Sequence, residues 1–212
     1  MKSALWLGVL GCFVLFLGSS TYGGVTAVAA PSTQTVPLNG TYATLNGSGS
    51  YATNPPVPIT QWSWDFESDG TYDYTETTLG GGDGIAYKVY DKGGIFTVTL
   101  KATDSISRYD TDTQEVKVRL AVSSGELTGK SVQLLWENAN NSAQFTRYEV
   151  HKSTTQGFTP DANSLVTNIT TMATTSYTVT GLTPKTTYYL QVVLVVSGGS
   201  IQSNELQRAT GG

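Results

Sequence analysis

The 212-residue chain contains one cysteine, Cys12, one histidine, His151, and two methionines. A single cysteine cannot build a disulfide framework, so any domain must rest on its apolar core. A single histidine excludes a histidine-rich metal centre, and no neighbour in sequence marks it as a catalytic base. Charge is sparse: 13% of residues are ionic, the net charge is −4 and the sequence pI is about 4.9. There is no basic stripe, which argues against nucleic acid and anionic membrane surfaces as partners. Long amphipathic helical patterns are also missing. The one extended apolar run goes from Ala4 to Leu17. Spanning a bilayer takes about 20 residues, so this run is too short.

That run follows Lys2 and precedes small residues, with Ala27-Val28-Ala29 forming an A-x-A site before Ala30. Residues 1–29 therefore read as a secretory signal peptide, and the protein as secreted, extracellular or on a cell surface. No membrane insertion is expected after cleavage; an uncleaved N-terminal anchor is the alternative. Leu10-Gly11-Cys12 has the look of a lipoprotein site, but the apolar run continues past the cysteine.

What the chain does contain is threonine, glycine, valine and tyrosine. Thr, Val and Tyr suit pleated, half-buried surfaces. Strand signals recur about every ten residues with turn residues between them, the pattern of β-sandwiches. In the segment from Ile95 to Ala102, Phe96, Val98, Leu100 and Ala102 alternate with Thr97, Thr99 and Lys101. Trp62 and Trp64 share one strand face, and Val116, Val118, Leu120 and Val122 another. A new series begins at Val132. The expected fold is all-β, two tandem immunoglobulin-like β-sandwiches over residues 30–120 and 127–212, with a short, semi-rigid hinge at 121–126.

The first half resembles a PKD domain. Leu45 to Tyr51 (LNGSGSY) is similar to that family's early strand and serine turn, Trp64-Asp65-Phe66 to its signature strand, and Tyr90 to Ser105 (YDKGGIFTVTLKATDS) to its closing hairpin. Phe96 stands where the family usually has tyrosine. The second half resembles a fibronectin type III domain through Val132 to Glu137 (VQLLWE), Arg147 to Ser153 (RYEVHKS) and Ser176 to Val192. In that last stretch the resemblance implies a core plug at Leu182, a turn at Pro184 and a tyrosine corner at Tyr188. Both families act as extracellular binding or spacer modules, so the resemblance implies a non-catalytic binding or adhesion protein. Its expected partners are an extracellular protein, matrix or polysaccharide.

One stretch suggests site chemistry. In DFESDGTYDYTE, Asp65, Glu67, Asp69, Asp73 and Glu76 fall at calcium-loop positions, with Gly70 where a sharp turn is needed. The flanking strand signals do not suit the helices of a paired calcium loop. Two readings stand: a weak calcium site, the one cofactor candidate, or a hairpin turn around Asp69-Gly70. Tyr72, Tyr74 and Tyr109 are placed to stack on sugar rings or to pair across strands. Tyr189, Val193 and Val195 form an apolar outward row, either a contact surface or one covered by neighbouring strands. His151 is expected to face solvent. Asn46, Asn140 and Asn168 begin N-x-S/T triplets. Two alternatives to adhesion remain: a carbohydrate-binding accessory to secreted hydrolases, and a calcium-stiffened spacer.

Overall fold

The computed structural model describes residues 24–212. Its first half contains β1 (Val25–Thr26), β2 (Thr33–Pro37), β3 (Ala43–Asn46), β4 (Tyr51–Ala52), β5 (Ile59–Asp65), β6 (Tyr74–Thr77), β7 (Ile85–Lys88), β8 (Gly94–Asp104) and β9 (Tyr109–Arg119). One layer is a five-stranded sheet in the order β2-β9-β8-β5-β6, with β2 parallel to β9 and the other pairs antiparallel. The facing layer consists of the β3–β7 and β1–β4 pairs, joined by a bridge between Ala30 and Asn46. The alternation along β8 places Phe96, Val98, Leu100 and Ala102 in the core with Leu45, Trp64, Val116 and Val118. Thr97, Thr99, Lys101 and Thr103 point away from it.

Two glycines let the facing layer close on the tryptophan strand. Trp62 Nε1 donates to the Gly47 carbonyl at 3.0 Å, and Gly47 N–H donates to the Gly84 carbonyl at 2.7 Å. Gly84 has a φ of 82°. A Cβ there would stand 2.9 Å from the Ser48 nitrogen. Left-handed backbone and lack of room together leave only glycine.

The second half contains β10 (Val122–Leu127), β11 (Val132–Trp136), β12 (Phe145–Ser153), β13 (Leu165–Ile169), β14 (Ser176–Val179), β15 (Thr187–Val196), β16 (Gly199–Gln202) and β17 (Leu206–Ala209). A three-stranded sheet, β10-β11-β14, faces a five-stranded one, β13-β12-β15-β16, in which β17 also pairs with β15. Val132, Leu134, Tyr148, Val150, Leu190, Val192 and Leu194 fill the space between them.

Two sequence expectations are corrected. Residues 121–126, expected as a hinge, are mostly strand: Val122 pairs with Trp136, and its N–H and carbonyl are both held by the Asn204 side chain. Small and polar residues suggested a linker, yet they serve equally well in an edge strand. Residues 1–23 of the expected signal peptide lie outside the described residues, but residues 24–29 belong to the sandwich. β1 pairs with β4, Ala27 and Ala29 are buried, and their N–H groups donate to Asp110 at 3.1 Å and Asp112 at 2.8 Å. Cleavage before Ala30 would remove a strand. The small side chains that resemble a cleavage site are the ones that pack here.

Candidate functional site

The acidic turn is built on backbone hydrogen bonds. Asp65, at the end of β5, is 4% exposed; its Oδ1 accepts the N–H of Glu67 (3.3 Å) and Asp69 (3.2 Å), and its Oδ2 that of Gly70 (2.8 Å). Asp73 Oδ2 accepts from Phe66 N–H at 2.7 Å, and Asp69 Oδ1 from Thr71 N–H at 2.8 Å. Ser68 (φ 53°) and Gly70 (φ 92°) supply the left-handed turns. The connection spans residues 66–73, longer than the tight Asp-Gly hairpin expected, and Trp64 pairs with Tyr74 across it.

The residues at calcium-loop positions are not all gathered at the turn. Glu76 stands two residues further along β6, opposite Trp62, and Glu67 reaches toward Lys88 at 3.8 Å. Among the described residues no group of three or more histidine, cysteine or carboxylate side chains is arranged to hold a metal ion. The spacing matched a calcium loop because a turn capped by side chains also places carboxylate acceptors and a glycine at fixed offsets. Partial burial, with Asp73, Asp65 and Asp69 adding, raises the Glu67 carboxyl above its usual range, while Lys88 opposes them.

Beneath the turn, Tyr90 donates its hydroxyl to the Phe66 carbonyl at 3.3 Å and packs on Phe96 with ring centroids 4.7 Å apart. Lys88 sits 5.0 Å from the Phe66 ring centre. Trp64, Asp65 and Phe66 thus hold the end of the sheet together.

The tyrosines are a different matter. Tyr72 and Tyr109 are 40% and 62% exposed, and both rings approach the Lys101 ammonium, at 5.8 Å and 4.2 Å from their centroids. Tyr74 is exposed on β6, with its hydroxyl 3.3 Å from Glu76. Tyr42 and Tyr87, not singled out from the sequence, form an exposed edge-to-face pair at 4.7 Å on the opposite layer. The alternation around Thr44 and Tyr87 was the available signal.

Arg108 was also missed. Its Nε donates to Asp104 Oδ2 at 2.7 Å, while its terminal nitrogens donate to the carbonyls of Thr53, Asn54 and Pro55. It ties the β8–β9 turn to the β4–β5 loop. Burial alone would raise the Asp104 carboxyl, but Arg108 and the N–H groups of Arg108 and Ile106 hold it below the usual carboxylate range.

In the second half the corner before β15 is closed by Tyr188, whose hydroxyl accepts the Thr183 N–H at 3.1 Å, while Leu182 is buried. Trp136 and Tyr148 meet edge to face at 5.6 Å between the two sheets. The fibronectin type III domain family matches residues 116–208. These residues form a fibronectin type III domain.

Among solved structures, the two-domain fibronectin type III segment of chicken tenascin is 14% identical, covering 90% of this chain and 99% of its own, with a TM-score of 0.46. The FN1-FN3 domains of chicken CNTN1 are 13% identical over 90% of this chain and 66% of theirs (TM-score 0.36). The sixth fibronectin type III domain of human fibronectin type III domain containing protein 3 is 20% identical over 43% and 81% (TM-score 0.35). No curated protein matches the chain significantly.

Within the fibronectin type III domain one expectation fails, and one of two alternatives is favoured. His151 is 2% exposed, not solvent-facing: Nδ1 lies 3.0 Å from Ser164 Oγ and Nε2 3.4 Å from Glu149 Oε2, with Arg147 on the same carboxylate at 2.6 Å. This is a serine–imidazole–carboxylate chain, but its hydroxyl is engaged by the turn. Ser164 Oγ accepts from Asp161 N–H at 2.9 Å and reaches the Asp161 carbonyl at 3.1 Å. A cleft of about 360 Å³ beside it is lined by Lys152, Phe158, Asp161 and Ser164 among others, and the imidazole does not reach it. The chain ties β12 to the loop before β13. Of the apolar row on β15, Val193 is 3% exposed between Glu149 and Gln202, and Tyr189 and Val195 are half-buried. Neighbouring strands cover that row, so it offers no open contact surface.

Proposed function

We propose that the protein is an extracellular, non-catalytic binding or adhesion module in which the N-terminal sandwich, PKD-like in its Trp64-Asp65-Phe66 strand, makes the contact and the fibronectin type III domain presents it. One observation carries this reading. Six of the described tyrosines are exposed (Tyr42, Tyr51, Tyr72, Tyr74, Tyr87 and Tyr109), and all six lie in the N-terminal half. Those of the fibronectin type III domain, Tyr148, Tyr177, Tyr188 and Tyr189, are buried or half-buried. Exposed tyrosine combines a large apolar face with a polar tip at low entropic cost, which is why it is enriched where proteins make contact. Fibronectin type III domains are commonly extracellular adhesion or binding modules, and among the described residues no helix is long and apolar enough to cross a membrane.

The test is retention of the full chain on an array of matrix proteins and polysaccharides. The wild type is expected to bind at least one surface. Tyr42→Ser, Tyr72→Ser, Tyr87→Ser and Tyr109→Ser combined in one variant should abolish that binding. Retention that survives those four substitutions would move the contact to the other half, and no retention anywhere would remove the reading.

A further inference from the structure

We propose that the outer face of the five-stranded sheet in the N-terminal sandwich binds an acidic polysaccharide, with a uronate carboxylate on Lys101 and sugar rings against Tyr109 and Tyr72. This rests on the binding-module reading above and names its ligand class.

Charge complementarity points to an anion. Among the described residues Lys101, like Lys92 and Arg119 of the same half, has no carboxylate within ion-pair distance, and of these three it alone lies against tyrosine rings. It stands mid-strand on β8, between Ser63 of β5 and Thr111 of β9. The acids close to it in sequence or register are already engaged. Asp65 is turned into three backbone N–H groups, and Asp110 and Asp112 accept from Ala27 and Ala29 of the opposite layer. The chain is acidic overall, yet on this outer stretch of the sheet the ammonium of Lys101 is held by no ion pair.

The surroundings select a sugar rather than a peptide. Around Lys101 the outward positions carry hydroxyls, those of Thr103 and Thr111 and that of Thr99, which is bonded to Ser68. They suit a hydroxyl-rich ligand, and no aliphatic side chain stands among them to seat a peptide's apolar residue. Lys101 lies over one side of Tyr109, whose side chain remains 62% exposed. That leaves ring surface for a pyranose to stack on. Tyr72 flanks the ammonium on the other side, its hydroxyl kept neutral by partial burial and by the nearby Asp65 and Tyr109.

The probe is sodium polygalacturonate, with fully methyl-esterified polygalacturonate as the matched uncharged polymer, titrated into the full chain by calorimetry. The acid form is expected to bind at least ten-fold more tightly than the ester, and more weakly as salt is raised. Lys101→Gln and Tyr109→Ser should each lose about ten-fold, Tyr72→Ser less, and Lys101→Arg should retain binding. These side chains lie on the outer face of the sheet, and an unchanged melting temperature verifies that each variant is folded. Equal affinity for acid and ester, or full binding by Lys101→Gln, overturns the inference. So does failure to bind polygalacturonate by a protein that is retained on the array, an outcome that leaves the binding-module reading standing. Failure on both polygalacturonate and the array removes both.

Discussion

At the residue scale, charge matters most where Asp104 meets Arg108. The carboxylate is buried and held below its ordinary range, so the folded state binds its proton less readily than the unfolded chain. A depressed acid contributes stability that is fully present above the unfolded value, about 3.9, and is lost as pH falls through the lower folded value. Melting followed by circular dichroism should therefore show Asp104→Asn destabilised at pH 7, with the gap to wild type closing as pH drops toward 2. A gap that stays constant across that range would mean that the ion pair contributes nothing through its charge. None of this was legible in the sequence. The three carbonyls that Arg108 collects lie more than fifty residues earlier, and no local pattern announces them. The burial of His151 was hidden for a related reason: Ser164, which meets its Nδ1, is brought alongside by the β12–β13 pairing.

At the scale of elements, period-two alternation was readable wherever one face is buried, as along β8 and β11, because a one-residue slip would expose the whole apolar set. The tyrosine corner was readable too, since it needs Leu182, Pro184 and Tyr188 in one short stretch. The acidic turn was readable as a turn but not in its chemistry: the same carboxylates at the same offsets serve as ligands or as caps, and only the direction of the N–H groups decides. That difference has a measurable outcome. Asp65→Ala removes the acceptor of three N–H groups. Leaving them unsatisfied should cost roughly 2 kcal/mol, seen as a lower unfolding midpoint in urea. Millimolar calcium should leave the wild-type midpoint unchanged. A calcium-dependent rise in wild type that Asp65→Ala abolishes would restore the metal reading.

For the molecule as a whole, the question is whether two sandwiches act as one body. Gly93 N–H donates to the Ala139 carbonyl at 2.7 Å, and Asn141 Nδ2 to the Gly93 carbonyl at 3.1 Å. Gln144 grips Ile95 from both sides, accepting its N–H at 3.0 Å and donating to its carbonyl at 2.9 Å, while Asn39 reaches Glu137 at 2.9 Å. Buried apolar side chains form one continuous cluster through both halves, and only Leu120 and Ala121 separate the end of β9 from the start of β10. Interfaces between domains are ordinarily polar and permissive of motion, so a joint that saturates backbone groups on both sides is unusually constraining. Each lost side-chain bond here removes about 1 kcal/mol of coupling and leaves a peptide group to find water. Wild type should therefore unfold in a single calorimetric transition, and Gln144→Ala with Asn141→Ala should split it into two, one for each sandwich. If the double variant still melts as one, cooperativity is carried by the apolar cluster and the short strand-to-strand crossing, and the polar grip at Gly93 and Ile95 sets only the angle at which the tyrosine-bearing half is presented.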